Sequence, residues 1–296
     1  MESILISSAT LGAVIGLILV LTGAGGAILA VPLLLFVQHL SVAEAAPVAL
    51  LAVALSAAVG ALLGLREGIV RYRAAMVMAV AGTLFSPVGL WLAHRLPNGP
   101  LTLLFAAVLA FVALRMFRQA TASKPEHAMG AGQPLQPCQL DNHTGRFVWT
   151  ASCTRALAVS GVGAGFLSGL LGVGGGFVIV PALKKATNAP VHAIVATSLA
   201  VITLVSASGV ISMAIAGRMN WQVGVPFAAG AMVAMLVGRR VASRLSGHRL
   251  QQGFALVSGL IAMGMVVKVA ELKSKVVYGG GFEARSRGRW SFSLRI

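Results

Sequence analysis

Apolar residues in this chain come in long blocks separated by short charged breaks, and the blocks have the length of membrane helices. Residues 3–37 carry no charge. As one straight helix they would run about 52 Å, far beyond a bilayer core about 30 Å thick. Something must break that segment. Gly23, Gly25 and Gly26 each lower helix propensity by about 1 kcal/mol, and Pro32 lacks the N–H that would bond one turn back. The pattern predicts a span ending near Thr22 and a short half-helix to about Val37.

A polar turn is expected over 39–47, around Glu44, followed by apolar runs over 48–65, 74–93 and about 101–115. Basic breaks at Arg66, Arg71 and Arg73 and a turn at 94–100 separate them. Over 119–154 Pro, Gly, His and charged residues interrupt any apolar face, which marks a linker. The order then returns. Apolar runs cover 156–183 (with a second glycine cluster), 191–216, 223–238 and 253–267, divided by Lys184 and Lys185, a turn at 217–222, and arginines from Arg239 to Arg249. Beyond 271 no run is long enough to span, and the basic, Ser- and Gly-containing end reads as a disordered cytoplasmic tail.

The two halves are related in detail. Shifted by 149 positions, Gly12, Gly16, Leu21, Gly23, Gly25, Gly26, Val31, Pro32 and Leu34 fall on Gly161, Gly165, Leu170, Gly172, Gly174, Gly175, Val180, Pro181 and Leu183. Chance would give about two or three such identities in a stretch of this composition, so the chain reads as an internal duplication. The same shift matches Gly89, Ala93, Arg95 and Leu96 to Gly238, Ala242, Arg244 and Leu245. The expected fold is an all-α polytopic membrane protein of two homologous repeats, each with about four spans and each opening with a glycine-broken helix. That makes eight or nine spans: repeat one over 1–118, the linker over 119–154, repeat two over 155–270 and the tail over 271–296.

Composition agrees. The chain is 57% hydrophobic and only 10% charged, with a mean hydropathy of +0.90, whereas about a quarter of the residues in a soluble domain are charged. Its net charge of +16 arises from 23 Lys and Arg against 7 acids. These cations lie in loops and the tail, where positive-inside topology accounts for them, so no nucleic-acid partner is expected. Orientation is less simple. If eight spans are threaded with the N-terminus inside, the 66–73 turn, the linker and the tail share one side, but Arg239, Arg240, Arg244 and Arg249 fall on the other. Inverting the second half would reunite them, which needs an odd number of crossings before it, for example where a glycine-broken segment turns back on itself. The N-terminus has neither a basic n-region nor a small-residue cleavage pattern, so no cleaved signal peptide is expected. Cys138 and Cys153, in and beside the linker, suggest neither a disulfide framework nor a Cys/His metal site.

Neither glycine cluster fits a phosphate cradle. Ile28 and Phe177 stand where the dinucleotide pattern needs glycine, and no Gly-Lys pair exists for a P-loop. Gly-x-Ser-x-Gly and His-Glu-x-x-His are likewise missing from the sequence, so no enzyme, metal or cofactor is expected. Gly12 with Gly16, and Gly161 with Gly165, read as small-xxx-small pairs for close helix packing. The adjacent glycines at 25–26 and 174–176 cannot serve one packing face and read as breaks. A broken helix leaves backbone N–H groups without acceptors, and at the start of the following half-helix these add to the positive end of its dipole. Two such N-termini, one per repeat, suit a small anion without any buried Lys or Arg.

The expected binding set is Thr22, Gly23, Gly25, Gly26 and Pro32 from the first repeat and Gly172, Gly174, Gly175, Gly176 and Pro181 from the second. Thr197 and Ser198 either add hydroxyl donors or bond ordinary helical carbonyls. Glu44 and His192, near equivalent places after each break, read as interfacial residues rather than proton carriers.

Gly172-Val173-Gly174-Gly175-Gly176 with Val180-Pro181, and the later Ala196-Thr197-Ser198-Leu199, resemble the TauE/SafE sulfite exporter family, also called the 4-toluene sulfonate uptake permeases. The resemblance covers about residues 5–270. Ala27 replaces the third glycine in the first copy, and Ala49-Leu50-Leu51 stands where the family often has Thr-Ser-Leu. The resemblance implies a two-halved secondary transporter of sulfite or an organosulfonate in the bacterial inner membrane. Its partners are then a small anionic substrate and the lipid bilayer, with a homo-oligomer compatible. Scarcity of intramembrane acids favours export without a coupling ion. The competing reading is a non-transporting membrane scaffold whose basic tail recruits a partner.

Overall fold

The computed structural model describes residues 2–22, 27–38, 40–121, 138, 149–242 and 256–265. They form α1 (Glu2–Thr22), α2 (Ala30–Val37), α3 (Val42–Arg66), α4 (Tyr72–Arg95), α5 (Asn98–Thr121), α6 (Ala151–Leu171), α7 (Gly176–Ala186), α8 (Val191–Ile215), α9 (Trp221–Ala242) and α10 (Leu256–Met265). The first span and the first half-helix end where the sequence places them, at Thr22 and Val37. The tail over 271–296, expected to be disordered, lies outside the described residues.

Two expectations are corrected. The turn expected over 39–47 ends early, because Ser41 and Glu44 form a capping box that starts α3 at Val42, with Pro47 inside the helix. Ser41 N–H donates to Glu44 Oε2 at 2.9 Å, and Glu44 N–H donates to Ser41 Oγ at 3.4 Å. Glu44 is thus the third helical residue of that capping box, its side chain bonded back to the Ser41 cap. The cysteines do pair: Cys138 and Cys153 form a disulfide with Cα atoms 4.8 Å apart. Cys138 also makes an isolated β-bridge with Thr187, its N–H donating to the Ala186 carbonyl at 3.0 Å.

Among the described residues, α3, α4, α6, α8 and α9 are long and apolar enough to cross a membrane, and shorter apolar stretches lie at 5–20, 27–37, 99–115 and 256–265. Large apolar side chains point outward along them. Leu84, Phe111, Ile215, Val233 and Leu260 are each at least 61% exposed, a surface suited to lipid rather than water.

Small residues set the packing. A Cβ on Gly161, Gly165 or Gly169 of α6 would run into the backbone of Met78, Gly82 or Ser86 of α4. The partners advance together, so α4 and α6 are parallel. Gly12 and Gly16 of α1 approach the backbone of Phe227 and Ala231 of α9 in the same manner, again in parallel. Without a hydrophobic driving force between helices in lipid, this close approach supplies the dispersion contacts that hold them. In α3 and α8, by contrast, Gly60 meets Leu199, Gly64 meets Ala196 and Gly209 meets Leu50, so that pair is antiparallel.

These directions fix the course of the chain. With α4 and α6 parallel and α3 and α8 antiparallel, α1 runs with α3, and α6 with α8. Each half-helix must therefore return to the side from which its preceding helix started. Gln38, at the C-terminal end of α2, donates from Nε2 to the Ser7 and Ser8 hydroxyls near the start of α1, both at 3.1 Å. Thr187, at the C-terminal end of α7, is joined through Cys138 to Cys153 near the start of α6.

Several pairs of positions 149 apart behave alike. α1 with α6, and α3 with α8, begin and end 149 positions apart. The same shift converts the contacts Gly12–Phe227 and Gly16–Ala231 into Gly161–Met78 and Gly165–Gly82. Gln38 and Thr187, the two tethered half-helix ends, are also so related.

Candidate functional site

The second glycine break is built by left-handed backbone. Gly172, Gly174 and Gly175 have φ of 71°, 75° and 69°, a region that costs an L side chain about 1–2 kcal/mol. Gly172 terminates α6, its N–H donating to the Ser168 carbonyl at 2.8 Å, and Gly175 is the N-cap of α7. Residues 172–177 are all buried.

Three helices wall this turn. A Cβ on Gly174 would stand 2.7 Å from Ser206 Oγ, 2.9 Å from Val53 Cγ1 and 3.3 Å from Ile202 Cγ2. One on Gly175 would meet the Ala164 carbonyl oxygen at 2.5 Å, and one on Gly172 would meet Ala46. Val53 and Ile202 each lie eleven residues into 25-residue helices. Gly174 therefore lies near mid-depth, about 17 Å from the ends at which α3 and α8 begin, whereas Gly172 meets α3 only four residues from its start.

The start of α7 presents donors there. Val178 and Ile179 N–H both bond the Gly175 carbonyl, at 3.0 and 3.2 Å, so the N–H groups of Gly176 and Phe177 precede the first intrahelical bond. Their partial positive charge adds to the dipole of an 11-residue helix. Among the described residues every buried polar side chain is a serine or threonine, so no buried charge competes with that field. Pro181 lies inside α7, where its missing N–H breaks one bond of the ladder.

The other expected residues are dispersed. Pro32 is buried in the first turn of α2, behind the buried 3₁₀ turn at 27–29. Thr22 ends α1, while Gly23, Gly25 and Gly26 lie outside the described residues. Thr197 accepts the Arg71 N–H at 3.1 Å, which ties α8 to the α3–α4 turn near the helix ends. Ser198 donates to the Ile194 carbonyl at 2.6 Å, the ordinary helical use of a serine. Neither of these two bonds lies at the break.

Sequence reasoning missed Ser206 and Ser168. Both are buried, and neither Oγ has a hydrogen-bond partner. Ser206 abuts Gly174, and Ser168 lies one turn from Ala164, on the α6 face that backs Gly175. In the sequence Ser168 lies one turn before Gly172 and Ser206 lies fifteen residues into α8, and nothing there separates them from other serines of apolar helices.

A family model described as Sulfite exporter TauE/SafE matches residues 8–265. A probable membrane transporter protein of Xylella fastidiosa (strain Temecula1) is 31% identical over 260 residues, covering 85% of this chain and 91% of that protein. The probable membrane transporter protein YunE of Bacillus subtilis (strain 168) is 24% identical over 264 residues, covering 86% and 95%. No solved structure matches.

Proposed function

The chain belongs to the TauE/SafE family of membrane transporters, and from that premise we propose a secondary carrier that moves a small sulfur-containing anion, sulfite or an organosulfonate, outward across the bacterial inner membrane. The observation that carries this reading is the buried break at mid-depth, where the start of α7 offers N–H donors with no buried charge nearby. A half-helix N-terminus at the midplane is how several transporter folds hold anionic groups. By the internal duplication, Thr22, Gly23, Gly25, Gly26 and Pro32 of the first repeat are proposed to join Gly172, Gly174, Gly175, Gly176 and Pro181 in that site.

The halves are inverted repeats, with α1, α3 and α5 crossing one way and α6 and α8 the other, while α2 and α7 turn back part-way. Support comes from the parallel α4–α6 and α1–α9 pairs, the antiparallel α3–α8 pair and the contacts that exchange under a shift of 149. This threading gathers Arg66, Arg71, Arg73, Arg155, Lys184, Lys185, Arg239 and Arg240 on the linker face and leaves Arg95 and Arg218 on the other. The linker face is then cytoplasmic by the positive-inside rule.

Direction follows from voltage. A divalent anion leaving an interior at −100 mV gains about 4.6 kcal/mol, about a 2,000-fold gradient, without a coupling ion. The test is flux of sulfite and methanesulfonate in vesicles held at a clamped potential without ion gradients. Flux that follows the potential supports the carrier. Absence of flux for both anions refutes the substrate class, and flux that starts only with an imposed proton or sodium gradient refutes the uncoupled mechanism.

A further inference from the structure

We propose that the hydroxyls of Ser206 and Ser168 are the side-chain donors that hold the oxyanion, so that the second half of the chain binds the charged oxygens by itself. This rests on the carrier reading and deepens it.

Three other buried hydroxyls among the described residues show what these two could have done. Ser56 donates to the Ala52 carbonyl at 2.7 Å, Ser198 to that of Ile194 at 2.6 Å and Thr187 to that of Leu183 at 2.9 Å. Each satisfies itself four residues back. Ser206 and Ser168 sit in the same kind of helix, 0% and 1% exposed, and do not; Ser258 of α10 is likewise buried and unpartnered, but only Ser206 and Ser168 belong to the helices that flank the break. A buried hydroxyl without a partner is costly, and natural structures retain few.

Their location supplies the reason. Ser206 Oγ lies 2.7 Å from the Cβ position of Gly174, and Ser168 lies one helical turn from Ala164, whose carbonyl backs Gly175. Together with the N–H groups of Gly176 and Phe177 they make a set of four donors from α6, α7 and α8. A ligand that matches such a set carries several acceptor oxygens on one centre, and the helix dipole asks for negative charge.

The first half has no counterpart. The positions 149 earlier are Leu19 and Ala57, both buried and both unable to donate. The scaffold is nearly symmetric and the donor set is not. An oxyanion held here directs its oxygens toward α6, α7 and α8 and any organic substituent toward the apolar first half.

The test uses the full chain, purified in detergent and reconstituted, as wild type, Ser206→Ala, Ser168→Ala and Ser56→Ala. Thermal stability is measured without ligand and across titrations of sodium sulfite and sodium methanesulfonate, alongside vesicle flux. Ser206→Ala is expected to weaken apparent affinity for both anions at least tenfold, as loss of a hydrogen bond to a charged group does. Its ligand-free Tm should equal or exceed that of the wild type, because an unpaired buried hydroxyl has been removed. Ser168→Ala should act in the same direction, and Ser56→Ala should keep wild-type affinity. Affinity of Ser206→Ala within twofold of wild type overturns the inference while leaving the carrier intact. A ligand-free Tm lowered in Ser206→Ala by several degrees also overturns it, by making the hydroxyl structural. A wild-type protein with neither flux nor anion-dependent stabilisation overturns the carrier reading itself.

Discussion

Gly174→Ala separates a binding break from a packing glycine. The new methyl group must adopt φ near 75°, at a cost of about 1–2 kcal/mol. It also falls about 0.8 Å short of a normal contact of about 3.5 Å with Ser206 Oγ, 2.7 Å away, and about 0.6 Å short with Val53 Cγ1, 2.9 Å away. Both are side-chain ends that can yield, so overpacking adds about 1–3 kcal/mol. The sum of about 2–5 kcal/mol is smaller than a typical stability of 5–15 kcal/mol, and the variant should still fold. Displacing the Ser206 hydroxyl and re-aiming the start of α7 should nonetheless cut flux per molecule at least tenfold. The control is Gly165→Ala, an ordinary helical position where the methyl meets the Gly82 backbone, which cannot yield without parting α4 from α6. That variant should lose abundance in the membrane in proportion to flux. The assay is vesicle flux normalised to folded protein by size-exclusion chromatography. Wild-type flux per molecule in Gly174→Ala would refute the binding break, and parallel loss of abundance and flux in both variants would favour a scaffold.

The disulfide and the charge distribution oppose each other about compartment, since cytosolic thiols keep such pairs reduced. With the linker face cytoplasmic, acid-trapping of cells followed by denaturing alkylation should find Cys138 and Cys153 both as thiols; alkylation that succeeds only after reductant would put that face outside. Ser41→Ala removes the cap of α3 and should cost about 1 kcal/mol in thermal or denaturant unfolding. Glu44→Gln should leave the pH profile of flux unchanged, and a flattened profile would make Glu44 a proton carrier.

Much of the fold was legible because apolar length and helix-breaking residues act locally. The glycine clusters and Pro32 located the two breaks and the ends of α1 and α2. Pro47 misled, since it was weighed as a turn residue while Ser41-x-x-Glu44, three residues apart, already spelled a capping box. The Cys138–Cys153 bond was hidden for a different reason. It depends on α7 returning to the start of α6, a direction fixed by Gly161 and Gly165 packing on a distant helix. Within the site, Thr197 and Ser198 stood out as hydroxyls in the helix after the second break, yet they serve the Arg71 N–H and the Ile194 carbonyl. A serine in an apolar helix reads as a self-satisfied serine by default. Only the approach of Gly174 in space distinguishes Ser206 from Ser198.

The packing also constrains how such a carrier could alternate between sides. In both parallel pairs the partners come from opposite halves of the sequence, α1 with α9 and α6 with α4, and both are sealed by backbone approach at glycine. Neither half can move as a unit without opening those seams. The α3–α8 crossing is different: Gly60 faces the flexible end of Leu199, Gly209 faces that of Leu50 and Gly64 faces the Ala196 methyl, side-chain contacts that tolerate sliding. Motion is therefore expected between the α1–α9 pair and the α4–α6 pair, about the α3–α8 crossing and past the break. Spin labels at Leu84 and Val159, 68% and 64% exposed on α4 and α6, should keep one distance when sulfite is added. Labels at Leu84 and at Val233 on α9, 61% exposed, should show a second distance whose population changes with sulfite. A shifting Leu84–Val159 distance with a fixed Leu84–Val233 distance would mean that the halves move as sequence units and that the glycine seams open.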